Sequence, residues 1–238
     1  MSNPNRSDGS AGEFFIRKFG RNDDVDSGTA PEDIWDFGGL YPFPAAAAAT
    51  TIVSDNAADA AAGTGVQTAR VFGLDTNFLE VQEDVTLNGV ASVALANQYL
   101  RVHRVFGLTF GTGGTNAGNI DVQHGATVLA RIIPGRGQTL MAIFTTPANW
   151  PTVTIKEAFT TIGRQASGFG ELIIFTRDFG SGGWRDRVTV DVHSQGSSFL
   201  SGNGPRIAIE PRTDIRWTAQ SVSANNTGIS ASFTLSDR

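Results

Sequence analysis

The chain has 238 residues, no cysteine and a formal net charge of −5. The missing cysteines exclude a disulfide framework and any thiolate zinc or iron–sulfur site, and the acidic balance leaves no basic footprint for nucleic acid. Charged residues are 17% of the chain against roughly 25% in an ordinary soluble domain, and the 28 glycines alongside them favour packed strands joined by tight turns.

Residues 1–12 are polar and lack the apolar core of a signal peptide. No stretch reaches the roughly 18 apolar residues of a spanning helix. The reading is a chain made as a soluble protein in the cytoplasm, with no membrane partner. Phe14, Phe15 and Ile16 follow, and then residues 21–30 turn polar again. Residues 31–44 are rich in turn formers and aromatics, and Pro42 and Pro44 push Tyr41 and Phe43 to extended conformations. Residues 1–44 therefore read either as an extended N-terminal arm, anchored by its aromatics to its own body or to a neighbour's, or as an ordinary N-terminal edge segment closing its own sandwich.

The alanine runs 45–49 and 57–62 are short and hemmed in by turn formers, so they read as loop or strand edge. From Thr50 onward period two dominates. Leu79, Val81, Val85 and Leu87 alternate with polar residues, as do Val153, Ile155 and Phe159. So do Val188, Val190 and Val192, and Ile229, Ala231, Phe233 and Leu235. One apolar and one polar face is the pattern of a half-buried antiparallel strand. Asn88-Gly89 is a tight-turn signal. Residues 70–74 and 104–108 echo each other as Arg-Val-Phe-Gly-Leu, which suggests neighbouring strands with a glycine bulge. The fold class is all-β: an antiparallel sandwich or jelly roll, either as one large sandwich or as two small ones over 45–133 and 134–238.

Candidate chemistry is sparse. His103, His124 and His193 have no metal-ligand spacing. The glycine-rich run 111–118 lacks the Lys-Ser/Thr of a phosphate loop and reads as a hairpin loop. Asp191, His193 and Ser194 lie close in sequence, but on a strand Ser194 points away from the other two. Trp35, Trp150, Trp184 and Trp217 are the candidates for a sugar or stacking platform; Trp184, next to Gly182-Gly183, reads as exposed on a turn, and Trp217 reads as core. No catalytic, cofactor or metal residues are assigned, and the expectation is a protein that is not an enzyme. Of the 18 basic residues only Lys18 and Lys156 are lysine, a bias that suits contact surfaces, where Lys is depleted.

Several segments resemble a family of tailed-bacteriophage virion structural proteins. They are Glu32-Asp33-Ile34-Trp35-Asp36 followed by residues 38–44, residues 71–75 leading to 85–89, residues 99–102 with 113–120, and residues 221–227. Phe37 interrupts the glycine run expected after Asp36. The resemblance implies a particle component without enzymatic activity, and it does not say where on the particle the protein sits.

The reading that follows is a head decoration or cement protein on the outer surface of a virion, bridging subunits of the major capsid protein. It is expected to be a homo-oligomer, with a trimer favoured. Phe14, Phe15, Trp35, Phe37, Tyr41 and Phe43 are the expected assembly contacts. Fully burying each such side chain contributes roughly 1.5–3 kcal/mol before ordering costs. A neck, tail or fibre-base component is the first alternative. A host-glycan-binding module is the second, and a glycan-degrading enzyme the third.

Overall fold

The computed structural model describes residues 6–8, 14–163, 168–193, 195–201 and 207–237. Among these the regular elements are strands, with no helix. In chain order they are β1 (Arg6–Asp8), β2 (Phe14–Val25), β3 (Glu32–Asp33), β4 (Thr51–Ser54), β5 (Val66–Leu74), β6 (Glu80–Thr86), β7 (Val93–Ala94), β8 (Arg101–Phe110) and β9 (Ile120–His124). Then follow β10 (Thr127–Ile132), β11 (Ile143–Thr145), β12 (Val153–Ile162), β13 (Phe169–Asp178), β14 (Arg185–His193), β15 (Ser197–Ser201), β16 (Ala208–Ile209), β17 (Thr213–Val222) and β18 (Thr227–Ser236). The protein is an all-β molecule built from antiparallel sheets.

The chain divides into two compact units, 1–41 with 141–238, and 42–140. The divisions fall at 41/42 and 140/141, whereas the sequence suggested 44/45 and 133/134. Residues 14–41 contribute two strands, β2 and β3, to the sheets of the first unit, as an edge segment closing its own sandwich does and a free arm does not.

In that unit one sheet has the order β1-β2-β18-β12-β15, with β16 also on β12. The other has the order β11-β17-β13-β14, with β3 also on β17. Leaving aside the short β1 and β16 and taking β3 and β11 as one strand position, eight positions alternate between the sheets as 1-8-3-6 and 2-7-4-5, which is a jelly roll. β3 and β11 lie end to end along β17: Asp33 pairs with Thr218, and Ile143 with Arg216. A single bridge between Trp35 and Met141 links them, and Ala142 N donates to Ile34 O at 2.9 Å. Residues 42–140 are thus inserted within one strand position of the jelly roll.

The inner faces meet in a core of Ile16, Phe144, Leu172, Ile174, Trp217 and Phe233, among others. β18 behaves as its alternation foretold, with Ile229, Ala231, Phe233 and Leu235 all buried inward. β12 does not. A bulge between Ile155 and Glu157 shifts its register against β18. One extra residue flips every later side chain to the opposite face, so Ala158 and Ile162 join the core while Phe159 turns outward. Gly20 on β2 sits where a Cβ would lie 2.2 Å from Ala142 N and 2.3 Å from Ile34 O, so only glycine permits that approach.

The second unit has a sheet β10-β9-β4-β7 and a sheet β6-β5-β8. The two echoing segments are neighbours, on β5 and β8, with register shifts beside Gly73 and between Thr68 and Ala69, which pairs with Gly107. Phe72 and Phe106 stack with centroids 5.7 Å apart. The glycine-rich run 111–118 is not a hairpin loop. It leaves β8 in one sheet and delivers β9 to the other.

Candidate functional site

Among the described residues no group of three or more His, Asp or Glu is placed to hold a metal ion. His103 is buried and His193 exposed. His124 is half-buried, with Nε2 3.1 Å from Thr50 Oγ1. The Thr50 hydroxyl donates to Ala48 O at 2.9 Å, so the imidazole Nε2 carries the hydrogen of that contact. Burial pushes the His124 pKa down, opposed by a backbone hydrogen bond at Tyr99. Asp191 and His193 are exposed on the edge strand β14, and Ser194 lies outside the described residues.

The expected contact residues divide by environment. Trp35 (1% exposed) and Tyr41 are buried in the first unit, their rings edge to face at 5.1 Å. Phe43 is buried in the second unit beneath the Arg101 guanidinium, 5.3 Å from its ring centroid, and Arg101 also donates to Pro44 O. These three hold the chain to its own units. Phe15 is half-buried on the outer face of β2, paired with Ser236. Phe14 lies in β2, and its side chain lies outside the described residues. Among those whose side chains are described, Phe37 is the exposed one, at 44%, its ring packed on one side against Trp35 with centroids 5.2 Å apart, next to Leu40 at 49%.

The turn that presents Phe37 and Leu40 is tightly held. Asp33 N and Trp35 Nε1 both donate to Gly39 O at 3.0 Å, and Gly38 N donates to Trp35 O at 3.2 Å. Gly38 and Gly39 have φ of +80° and +65°, a region that favours glycine. The Phe37 that interrupts the glycine run thus stands just before the two positions that need glycine. The Glu32 carboxylate accepts from Gly39 N and Asn22 Nδ2, each at 3.0 Å, and from Thr29 Oγ1 at 2.5 Å.

Asp33 is the second pin. It is fully buried and accepts from Tyr41 N at 2.8 Å, Thr218 Oγ1 at 2.6 Å and Arg216 Nη1 at 3.4 Å. Burial raises its pKa, with Arg216 the main opposing influence. Arg216 in turn lies 4.1 Å from the Trp184 ring centroid, and Arg177 lies 4.5 Å from it. Arg177 is anchored to the buried Asp214, which also accepts from Thr145 Oγ1 at 2.7 Å. Trp184 is therefore packed by two guanidiniums, and its expected role as an exposed sugar platform does not match this half-buried setting.

Asp59 plays the matching part in the second unit. Its buried carboxylate accepts from Ser54 Oγ, Val66 N, Ala117 N and Gly118 N at 2.7–2.9 Å. It ties the 54–66 loop to the glycine-rich run. Sequence reasoning missed Glu32, Asp33 and Asp59, because an acid among turn formers looks like a solvated turn. The one available signal was a lone carboxylate inside an alanine run, at Asp59.

A cavity of about 550 Å³ opens on the outer face of the β2–β18–β12 sheet, lined by Arg21, Asp23, Thr161, Gly163, Gly228 and Ser230. Arg21 and Asp23 are paired to each other there.

No protein-family model matches the chain, and no curated protein matches it. Among solved structures it is similar to the structure of infectious bursal disease virus Gx strain, with 10% identity and a TM-score of 0.24. That likeness covers 94% of this chain and 71% of that one. It is also similar to the structure of the Gt strain of the same virus, with 10% identity and a TM-score of 0.21, covering 99% of this chain and 74% of that one.

Proposed function

We propose that the chain is a structural subunit of a bacteriophage virion, acting on the outer surface of the head as a decoration or cement protein. It is a homo-oligomer that bridges neighbouring subunits of the major capsid protein and performs no chemistry. The observation that carries this reading is the turn at Phe37 and Leu40. Two large apolar side chains face solvent on a segment fixed by Glu32, Asp33 and Trp35. A rigid apolar knob loses little freedom on docking, and such preordered anchors dominate protein contacts. The jelly roll supports the reading as well, since it is a fold of viral capsid domains, although lectins and cupins share it.

The experiment is quantitative mass spectrometry of purified particles, comparing this chain with the major shell protein. Copy numbers on the scale of the shell protein support the decoration role. A small ring's worth moves the chain to the neck, tail or fibre base. Absence from the particle overturns the virion reading. A Phe37→Ser, Leu40→Ser double variant is expected to stay folded and lose particle incorporation, and normal incorporation would remove the knob from the mechanism.

A further inference from the structure

We infer that β15 is a docking edge for a second copy of this chain, joining the β2–β18–β12–β15 sheets of two molecules through antiparallel β15–β15 pairing. β15 and β14 end their respective sheets among the described residues. The two edges differ in chemistry. β14 carries Arg185, Asp186, Arg187, Asp191 and His193, the charged pattern that protects an edge from further pairing. β15 is Ser-Ser-Phe-Leu-Ser, with no charge, and Phe199 is 60% exposed.

The hydrogen-bond register fixes which groups are offered. Ile162 N donates to Gly196 O at 3.2 Å, so Thr160–Ser198 and Ala158–Leu200 are the hydrogen-bonded pairs of the β12–β15 ladder. By the alternation of an antiparallel ladder, the N–H and C=O of Ser197, Phe199 and Ser201 point to the open edge. Those three residues read the same in both directions. An antiparallel copy centred on Phe199 therefore sets Phe199 opposite its twin and Ser197 opposite Ser201, with each outward backbone group paired and no like charges opposed.

The second observation lies on the outer face of the same sheet. Phe19 pairs with Ser232, Ser232 with Phe159, and Phe159 with Phe199. Directly opposed residues share a face, so a row of three phenylalanines, with Ser232 between Phe19 and Phe159, crosses the sheet and ends on the open edge. A second copy continues the row with Phe199, Phe159 and Phe19 in reverse order. A foreign strand would supply the backbone bonds without that continuation, so the structure favours an identical partner. The contact is isologous and two-fold, in contrast to the three-fold symmetry favoured from the sequence.

Sedimentation of the purified full chain at micromolar concentration tests this. Wild type is expected at twice the chain's 25.2 kDa. Phe199→Lys and Phe199→Glu, changes at an exposed site, should each sediment as monomers, because like charges meet at the two-fold. Mixing the two variants should restore the dimer, an outcome specific to residue 199 facing itself. A monomeric wild type, single variants that keep the dimer, or a mixture that stays monomeric would each overturn the pairing. Should the variants fail to fold, amide exchange on wild type decides instead. The Phe199 amide is expected to be more protected as protein concentration rises, and concentration-independent exchange overturns the inference. A monomeric chain still found on particles would reject this contact and leave the virion reading standing, whereas a dimer absent from particles would do the reverse.

Discussion

Trp35 pairs with Met141 across a single antiparallel bridge, so the chain leaves the jelly roll and returns to it at adjacent points of one strand position. The unit between them, 42–140, has sheets made only of its own strands. Replacing 42–140 by a short Gly/Ser linker is therefore expected to leave the jelly roll folded, with a β-type circular dichroism spectrum and a single cooperative melt. A molten or unfolded product would show that the jelly roll depends on the insert.

Gly20→Ala tests the close approach of β2 to the two halves of that split strand. The new methyl would meet backbone atoms of Ala142 and Ile34 rather than a flexible side chain. A loss of roughly 2–4 kcal/mol is expected, measured as a fall in the urea midpoint with an unchanged slope.

Asp59→Ala removes four accepted hydrogen bonds at once and leaves the amides of Val66, Ala117 and Gly118 without that acceptor. Unmade buried bonds cost more than made ones contribute. The expected loss is roughly 2–4 kcal/mol, with faster amide exchange confined to the 54–66 loop and the 111–118 run.

His124 gives the second unit a pH dependence with a definite sign. Its folded pKa is below the ordinary 6.5 because burial disfavours the cation. The unfolded chain takes up the proton first, so stability is present above pH 6.5 and falls as the pH drops through the folded pKa. His124→Gln keeps a side-chain donor available to Thr50 and is expected to flatten the stability profile between neutral pH and the carboxylate range. An unchanged slope would assign the dependence to other groups.

The secondary structure was more legible in the sequence than its assembly. Ile229 to Leu235 announced both a strand and its buried face, because alternation is local and one face of β18 meets the core. The Phe159 facing was lost to a bulge set by pairing with β18, which no local pattern encodes. The paired Val-Phe-Gly segments were recognisable as neighbours, yet the nesting of one unit inside another was not. That nesting depends on which distant strands meet, β2 with β18 and β3 with β17. Phe14 to Phe43 looked like an arm because prolines, glycines and exposed-looking acids dominate it. The buried carboxylates of Glu32 and Asp33 turn the same composition into a fixed turn.

The pairing of β2 with β18 also sets the order of events during synthesis. The first long strand of the chain finds its partner only when the last one has been made, whereas 42–140 is continuous and closes its sheets from its own residues. Loop closure over almost the full chain is slow compared with local pairing. On a ribosome the inserted unit therefore folds first, and Ile16 and the rest of the inner face of β2 wait uncovered until β18 has emerged. The jelly roll, although β2 is made before the insert, is completed after it.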